Sequence, residues 1–263
     1  MALIRTQFFS ESLGMCVSCD VVLPQLTRAD EPGRTFPVMY LLHNLTKSHS
    51  SWQRMTCIER YAVNHGLVVV MPDAQLSSYA DMLHGGKFFT YIADELPQTM
   101  KRFFPLSGRR EETFICGCSM GGYGALKIGL SRPEQYGCIG SLSSGYTSYR
   151  GYISRKDDRG LSLQYLTFGE TGLDEEDVET AEKARAIVRS GQNIPRIFIT
   201  CGKSDPLLLD NAREARDFFS SFEGNPFDFV YTEEPGSHNW SYWDAHICDF
   251  LRYAGLNPRQ HLL

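Results

Sequence analysis

Apolar residues along this chain follow two rhythms that take turns. "LIRTQFF" and "GMCVSCDVVLP" alternate apolar with polar in the manner of antiparallel edge strands, and the polar turn "RADEPGR" leads to the buried run "FPVMYLL". "LVVVMP" is a continuous β-branched run suited to a central parallel strand, and "ETFICG", "GCIGSLSSG", "PRIFITCG" and "FDFVYTEE" predict four more strands. Helical spacing fills the intervals. "QRMTCIERYAVNHG" predicts a helix stopped by Gly66. "KFFTYIADELPQTMKRFF" sets Phe88, Ile92, Leu96 and Phe103 near one helical face, with Pro97 at a kink or a fresh start. "MGGYGALKIGLSR", "NAREARDFFSSF" and "YWDAHICDFLRYAG" predict further helices. Strands alternating with helices imply an α/β fold, a mostly parallel sheet with helices on both faces. Residues 146–192 show no convincing strand, and "LDEEDVETAEKARAIVRS" reads as a helix with acids first and bases last. That interval is expected to be a helical excursion over the strand-end side of one domain spanning 1–263, since no repeat or long linker divides the chain.

Composition narrows the function. A 263-residue chain can bury roughly 75% of its unfolded surface, so a full core is available. The net charge of −5, with no Lys/Arg cluster, argues against a nucleic-acid partner. The apolar runs are too short to span a bilayer, and "MALIRTQFFSESLG" lacks the apolar stretch of a signal peptide. A soluble, cytoplasmic protein is expected. Cys116, Cys118, Cys138 and Cys201 lie in or beside core-strand runs, where free thiols act as small hydrophobes. Cys16 and Cys19 have C-x-x-C spacing, but on a strand such positions face opposite sides, so strand cysteines are expected rather than a metal or redox pair.

Candidate chemistry centres on "FICGCSMGGYG". Gly117-Cys118-Ser119-Met120-Gly121 matches G-x-S-x-G with a strand before it and a helix after it. A nucleophile lifted onto so sharp a turn needs strained dihedrals and neighbours without side chains. The chain carries neither the Lys-Ser/Thr of a phosphate loop nor G-x-G-x-x-G, and Ser143 in "GSLSSG" lacks the glycine two places before it. A serine needs a base, and the base an orienting acid, here in the order Ser, Asp/Glu, His. Asp205 follows "PRIFITCG" directly, and His238 lies in the loop "EEPGSHNW" after the last strand, so both belong to the edge that carries Ser119. Asp210 reads as a helix-opening residue, Asp228 as part of a strand and His246 as part of the closing helix; the other histidines precede Ser119 or trail the fold. The Met120 N–H supplies one oxyanion donor. The loop "YLLHNLTKSHSSW" is placed to supply a second, through the Leu45 N–H of its "HNL" turn.

Together, "YLLHNL", "VVVMP", "ELPQTMKRFFP", "TFICGCSMGGYGALK", "CGKSD" and "PGSHNWSYWD" resemble the esterase family of α/β hydrolases. That family includes esterase D (S-formylglutathione hydrolase), feruloyl esterases and mycolyl transferases, and the resemblance is strongest to its bacterial tributyrin esterase branch. It covers nearly the whole chain and implies the α/β-hydrolase fold. It also implies hydrolysis of short-chain carboxylic esters without metal or other cofactor, and frequent homo-oligomers. By the same resemblance Ser119 is the nucleophile, His238 the base, Asp205 its orienter, and Leu45 and Met120 the oxyanion donors. S-formylglutathione, a thioester, is the alternative substrate, with feruloyl and acetylxylan esters behind it. Tyr79 and Tyr146, in loops at the same edge, are expected to line the substrate pocket. Relatives commonly carry glycine where this chain has Asn44, which is therefore expected either to adopt a positive φ in glycine's place or to offer its side-chain amide to the oxyanion.

Overall fold

The computed structural model describes residues 1–25, 33–147, 153–157, 161–170 and 172–258. Eight strands form one sheet: β1 (Ala2–Ser10), β2 (Met15–Leu23), β3 (Val38–Leu42), β4 (Val68–Pro72), β5 (Thr113–Cys118), β6 (Cys138–Leu142), β7 (Arg196–Gly202) and β8 (Val230–Glu234). Their order is β1-β2-β4-β3-β5-β6-β7-β8. Pairings of β1 with β2 and of β2 with β4 are antiparallel; every later pairing is parallel. The exposed Cys16 and buried Cys19 fall on opposite faces of β2, as strand spacing requires.

Alternate residues of each central strand feed two cores. Val38, Tyr40 and Leu42 join one and Met39 and Leu41 the other. Helices α1 (Ser51–Met55), α2 (Ile58–His65) and α9 (Trp240–Tyr253) cover the Met39 face, contributing Trp52, Ile58, Trp243 and Phe250. The other face carries α3 (Phe88–Thr90), α4 (Leu96–Phe103), α5 (Met120–Ser131), α7 (Gly172–Ser190) and α8 (Leu209–Ser220). Each fully buried large apolar side chain contributes roughly 1.5–3 kcal/mol over exposure. α5 is buried from Met120 to Leu130, since it lies between the sheet and α7.

Three local expectations change, and the break expected at Pro97 is a fresh start. The helix foreseen over "QRMTCIERYAVNHG" is two, because Thr56 is extended, its hydroxyl bonds to the Trp52 carbonyl, and the Cys57 N–H goes to Asp244 of α9 (2.8 Å). Between α3 and α4 a π-helical stretch, Tyr91–Glu95, precedes Pro97, which sits in the first turn of α4 where its missing N–H costs nothing. Phe103 is 54% exposed, overhanging the edge strand, where its ring meets Phe8 edge-on and its neighbour Phe104. Asp228 lies before β8 rather than in it, at φ 44°, and pairs with Arg196. Among the described residues of 146–192 the named elements are helices, α6 (Leu163–Phe168) ahead of α7, with one isolated bridge between Lys156 and Ser162. The Leu83 and His84 N–H groups donate to Thr167 and Leu166 carbonyls at the end of α6.

Candidate active site

The turn from β5 into α5 places Ser119 at φ 55°, ψ −122°, a backbone region that side chains rarely adopt. Close packing enforces it. A Cβ on Gly117 would lie 2.4 Å from the backbone of Gly121, and one on Gly121 would lie 2.4 Å from the Leu42 carbonyl oxygen of β3. Only glycine fits at either position, so the helix N-terminus is pressed against the ends of two strands and the serine is lifted clear. The Ser119 N–H donates to Leu142 O (2.9 Å) across to β6.

Asp205 and His238 converge on this turn from the ends of β7 and β8. His238 Nε2 lies 3.0 Å from Ser119 Oγ, and His238 Nδ1 lies 2.8 Å from Asp205 Oδ2. The carboxylate is buried, and its other oxygen accepts the Leu207 and Leu208 N–H groups at 2.9 and 3.0 Å. Burial pushes the Asp205 carboxyl up, but the His238 ring and those two N–H groups outweigh it and hold the group below its ordinary value. An ionised carboxylate keeps the imidazole proton on Nδ1, which leaves Nε2 as an acceptor aimed at the serine hydroxyl. Such an arrangement can take the serine proton as its oxygen attacks a carbonyl.

Ser119 opens into a cavity of about 40 Å³, with Leu45, Met120, Tyr123, Ile153 and Leu208 among its walls. Leu45 and Met120 therefore lie together beside the serine, and Met120, first residue of α5, has no helical carbonyl for its N–H. Tyr79 and Tyr146 are not in this wall. Tyr79 is fully buried, its hydroxyl donating to His43 O (2.9 Å), and the neighbouring Ser78 lines the cavity instead. Tyr146 packs on Phe218 of α8 (4.7 Å), leaving Ser144 on the wall. Asn44 does not take a positive φ; the left-handed residue of its loop is Thr46, at 62°. Its side-chain oxygen is buried without a hydrogen-bond partner and it does not line the cavity.

The match to a family model described as "Putative esterase" runs over residues 10–254. The chain belongs to this family. It is a carboxylic ester hydrolase with the α/β-hydrolase fold. An acetyl esterase of Caldicellulosiruptor saccharolyticus is 28% identical over 96% of this chain and 98% of its own. Among solved structures, the Staphylococcus aureus fluorophosphonate-binding serine hydrolase FphF superposes with a TM-score of 0.86 at 27% identity, covering 97% of this chain and 98% of that one. The S-formylglutathione hydrolase FrmB of the same organism gives 0.79 at 27% identity, covering 97% and 99%.

Residues that sequence reasoning passed over also pack around this site. His43, set aside because it precedes Ser119, braces the loop carrying Leu45. Its Nε2 accepts the Ala74 N–H (2.9 Å), so Nδ1 holds the proton and donates it to Asn44 O (2.8 Å). Its place directly after β3 was the available signal. Trp243 meets the His238 ring edge-on at 5.1 Å and donates its Nε1–H to Ser143 Oγ (3.0 Å). Asn239, next to His238, caps α9 by accepting the Tyr242 N–H (3.0 Å), a residue type that marks helix starts. Among the described residues no group of three or more His, Cys, Asp or Glu is placed to hold a metal ion.

Proposed function

We propose that this esterase hydrolyses short-chain acyl esters through Ser119, His238 and Asp205. The observation that carries the reading is the continuous chain of contacts, Asp205 to His238 at 2.8 Å and His238 to Ser119 at 3.0 Å. Ser119 Oγ attacks the ester carbonyl while His238 Nε2 accepts its proton. The developing oxyanion is held by the Met120 and Leu45 N–H groups. His238 returns the proton to the departing alcohol, and a water activated by the same nitrogen then releases the acid. The space beside Ser119, about 40 Å³, is a few times the roughly 10–15 Å³ that one water needs. A cavity this small favours acetyl to butyryl groups over a feruloyl ring, with tributyrin and acetyl esters as test substrates.

The likeness to FrmB favours a second reading, thioester hydrolysis of S-formylglutathione, whose formyl group is small enough for the cavity. The eight cysteines carry no disulfide, which supports a cytoplasmic setting, and the unpaired edge of β1, with Phe9 exposed beside it, supports self-association. A panel of acetyl, butyryl, hexanoyl and feruloyl esters with S-formylglutathione, run beside Ser119→Ala, tests the assignment. Ester turnover that survives the alanine would overturn it, and preferred turnover of the thioester would select the second reading.

A further inference from the structure

Resting on that esterase reading, we infer that Lys127 and Glu176 form the anchor that sets the acyl-length limit. Lys127 lies on α5, two turns beyond Ser119, with only 3% of its surface exposed. Its ammonium is 2.9 Å from Glu176 Oε1 of α7. Three rings surround the ammonium: Phe89 of α3 at 5.6 Å, Phe168 of α6 at 5.7 Å and Tyr123 of α5 at 5.9 Å. One cation thus ties the nucleophile helix to α3 and to both helices of the 146–192 excursion. Cation–π attraction and ion pairing in a water-poor setting fix its position.

A buried ion pair is a poor means of gaining stability, because apolar residues of equal volume hold a core as well. What the pair supplies is a unique seating of the excursion on α5. That seating matters at the cavity. Among the described residues, Ile153, 4% exposed, is the excursion's residue in the cavity wall, which Tyr123, Met120 and Leu208 build from the core. Tyr123 has the anchor on one side and the Ser119 cavity on the other. Lys127 is therefore a positioning residue, acting on the acyl group through Ile153 and Tyr123 without touching it.

Kinetics on aryl acetate, butyrate and hexanoate test the assignment in Glu176→Gln, Lys127→Met and the double variant, with Ile153→Ala as the directly widened cavity. Glu176→Gln keeps shape and size at a carboxylate already 20% exposed, so its fold is retained. Each single variant should raise the hexanoate-to-acetate ratio of kcat/KM by about tenfold, the scale of one methylene in an apolar pocket. The change should fall in hexanoate KM, with acetate kcat little altered, and the double variant should do no more than the larger single change because both break one link. An unchanged ratio in folded Glu176→Gln, or equal losses on all three esters, would overturn the inference. Absence of Ser119-dependent turnover of every ester in the wild type would instead strike down the proposed function beneath it.

Discussion

Ser119, Asp205 and His238 were legible because their positions follow from topology: each stands just past the C-terminal end of a parallel strand, β5, β7 or β8, and such ends share one edge of the sheet. Tyr79 and Tyr146 occupy loops at that edge as well, but a loop's place does not fix which way a ring turns. One is folded under the His43 carbonyl and the other leans on Phe218. Asn44 misled for a related reason, since a residue type tolerant of positive φ shows where such a conformation is permitted, not where it occurs. Replacing Asp205 by Asn should cut kcat by about 10⁴, because an amide can stabilise the wrong His238 tautomer. Asp210→Asn, at an exposed residue in the first turn of α8, should leave kcat nearly unchanged, and the reverse pattern in steady-state assays would move the acid to Asp210. Thr46 carries φ 62° as a β-branched residue, which is a strained combination. Thr46→Gly should therefore match or exceed the wild-type melting temperature at unchanged kcat, and a lower melting temperature would contradict the strain.

At the scale of elements, apolar rhythm located every strand, whereas contacts between distant segments decided how helices broke. Nothing local in "MTCI" shows that Asp244 will take the Cys57 N–H, so one helix was read where the fold builds two. The excursion's helical character was visible in its acid-to-base gradient, but the burial of Lys127 beneath it was not, because a lysine on a helix ordinarily faces water. The glycine pattern around Ser119 carried more information, since it reports distance as well as conformation. Gly121→Ala tests that reading. Its Cβ would press on backbone, the Leu42 carbonyl 2.4 Å away, which cannot rotate aside as a side chain could. Either β3 or α5 must shift, and α5 and the loop after β3 carry the donors for the proposed oxyanion. Displacing a reacting group by about 1 Å can cost 10²-fold, so kcat should fall by at least about that factor in whatever folded protein is recovered. Near-wild-type kcat would show that the two elements have slack.

For the molecule as a whole, alternation of strands and helices fixed the parallel sheet but not the order in which β4, β3 and β5 lie, which depends on the direction each crossover takes. That order sets the end of β4 beside β2 and near the loop after β3, and so gathers His43, His49 and Asp73 into one polar group. Burial pushes the Asp73 carboxyl up, but the two imidazoles beside it and the Gln75 N–H more than offset this and hold it well below the usual carboxylate range. His43 Nε2, which accepts the Ala74 N–H, stands 3.7 Å from Asp73, and His49 Nδ1 stands at 3.4 Å. The His49 pKa is raised, chiefly by that Asp73 contact. The two shifts bound a window from opposite sides. A depressed carboxyl contributes stability above its unfolded pKa, near 3.9, and loses it as the pH falls through the folded value. A raised imidazole contributes fully below its unfolded pKa, near 6.5, and loses its share as the pH rises through the folded value. The pair should therefore stabilise the fold most at about pH 4.5 to 6. Both groups are about a quarter exposed, so solvent and salt reduce the effect. Urea midpoints of the wild type and Asp73→Asn, measured from pH 3 to 9, should differ most in that interval and draw closer on either side. A difference that stays constant with pH would mean that Asp73 acts through packing and the Gln75 N–H alone, with no charge passed to His49.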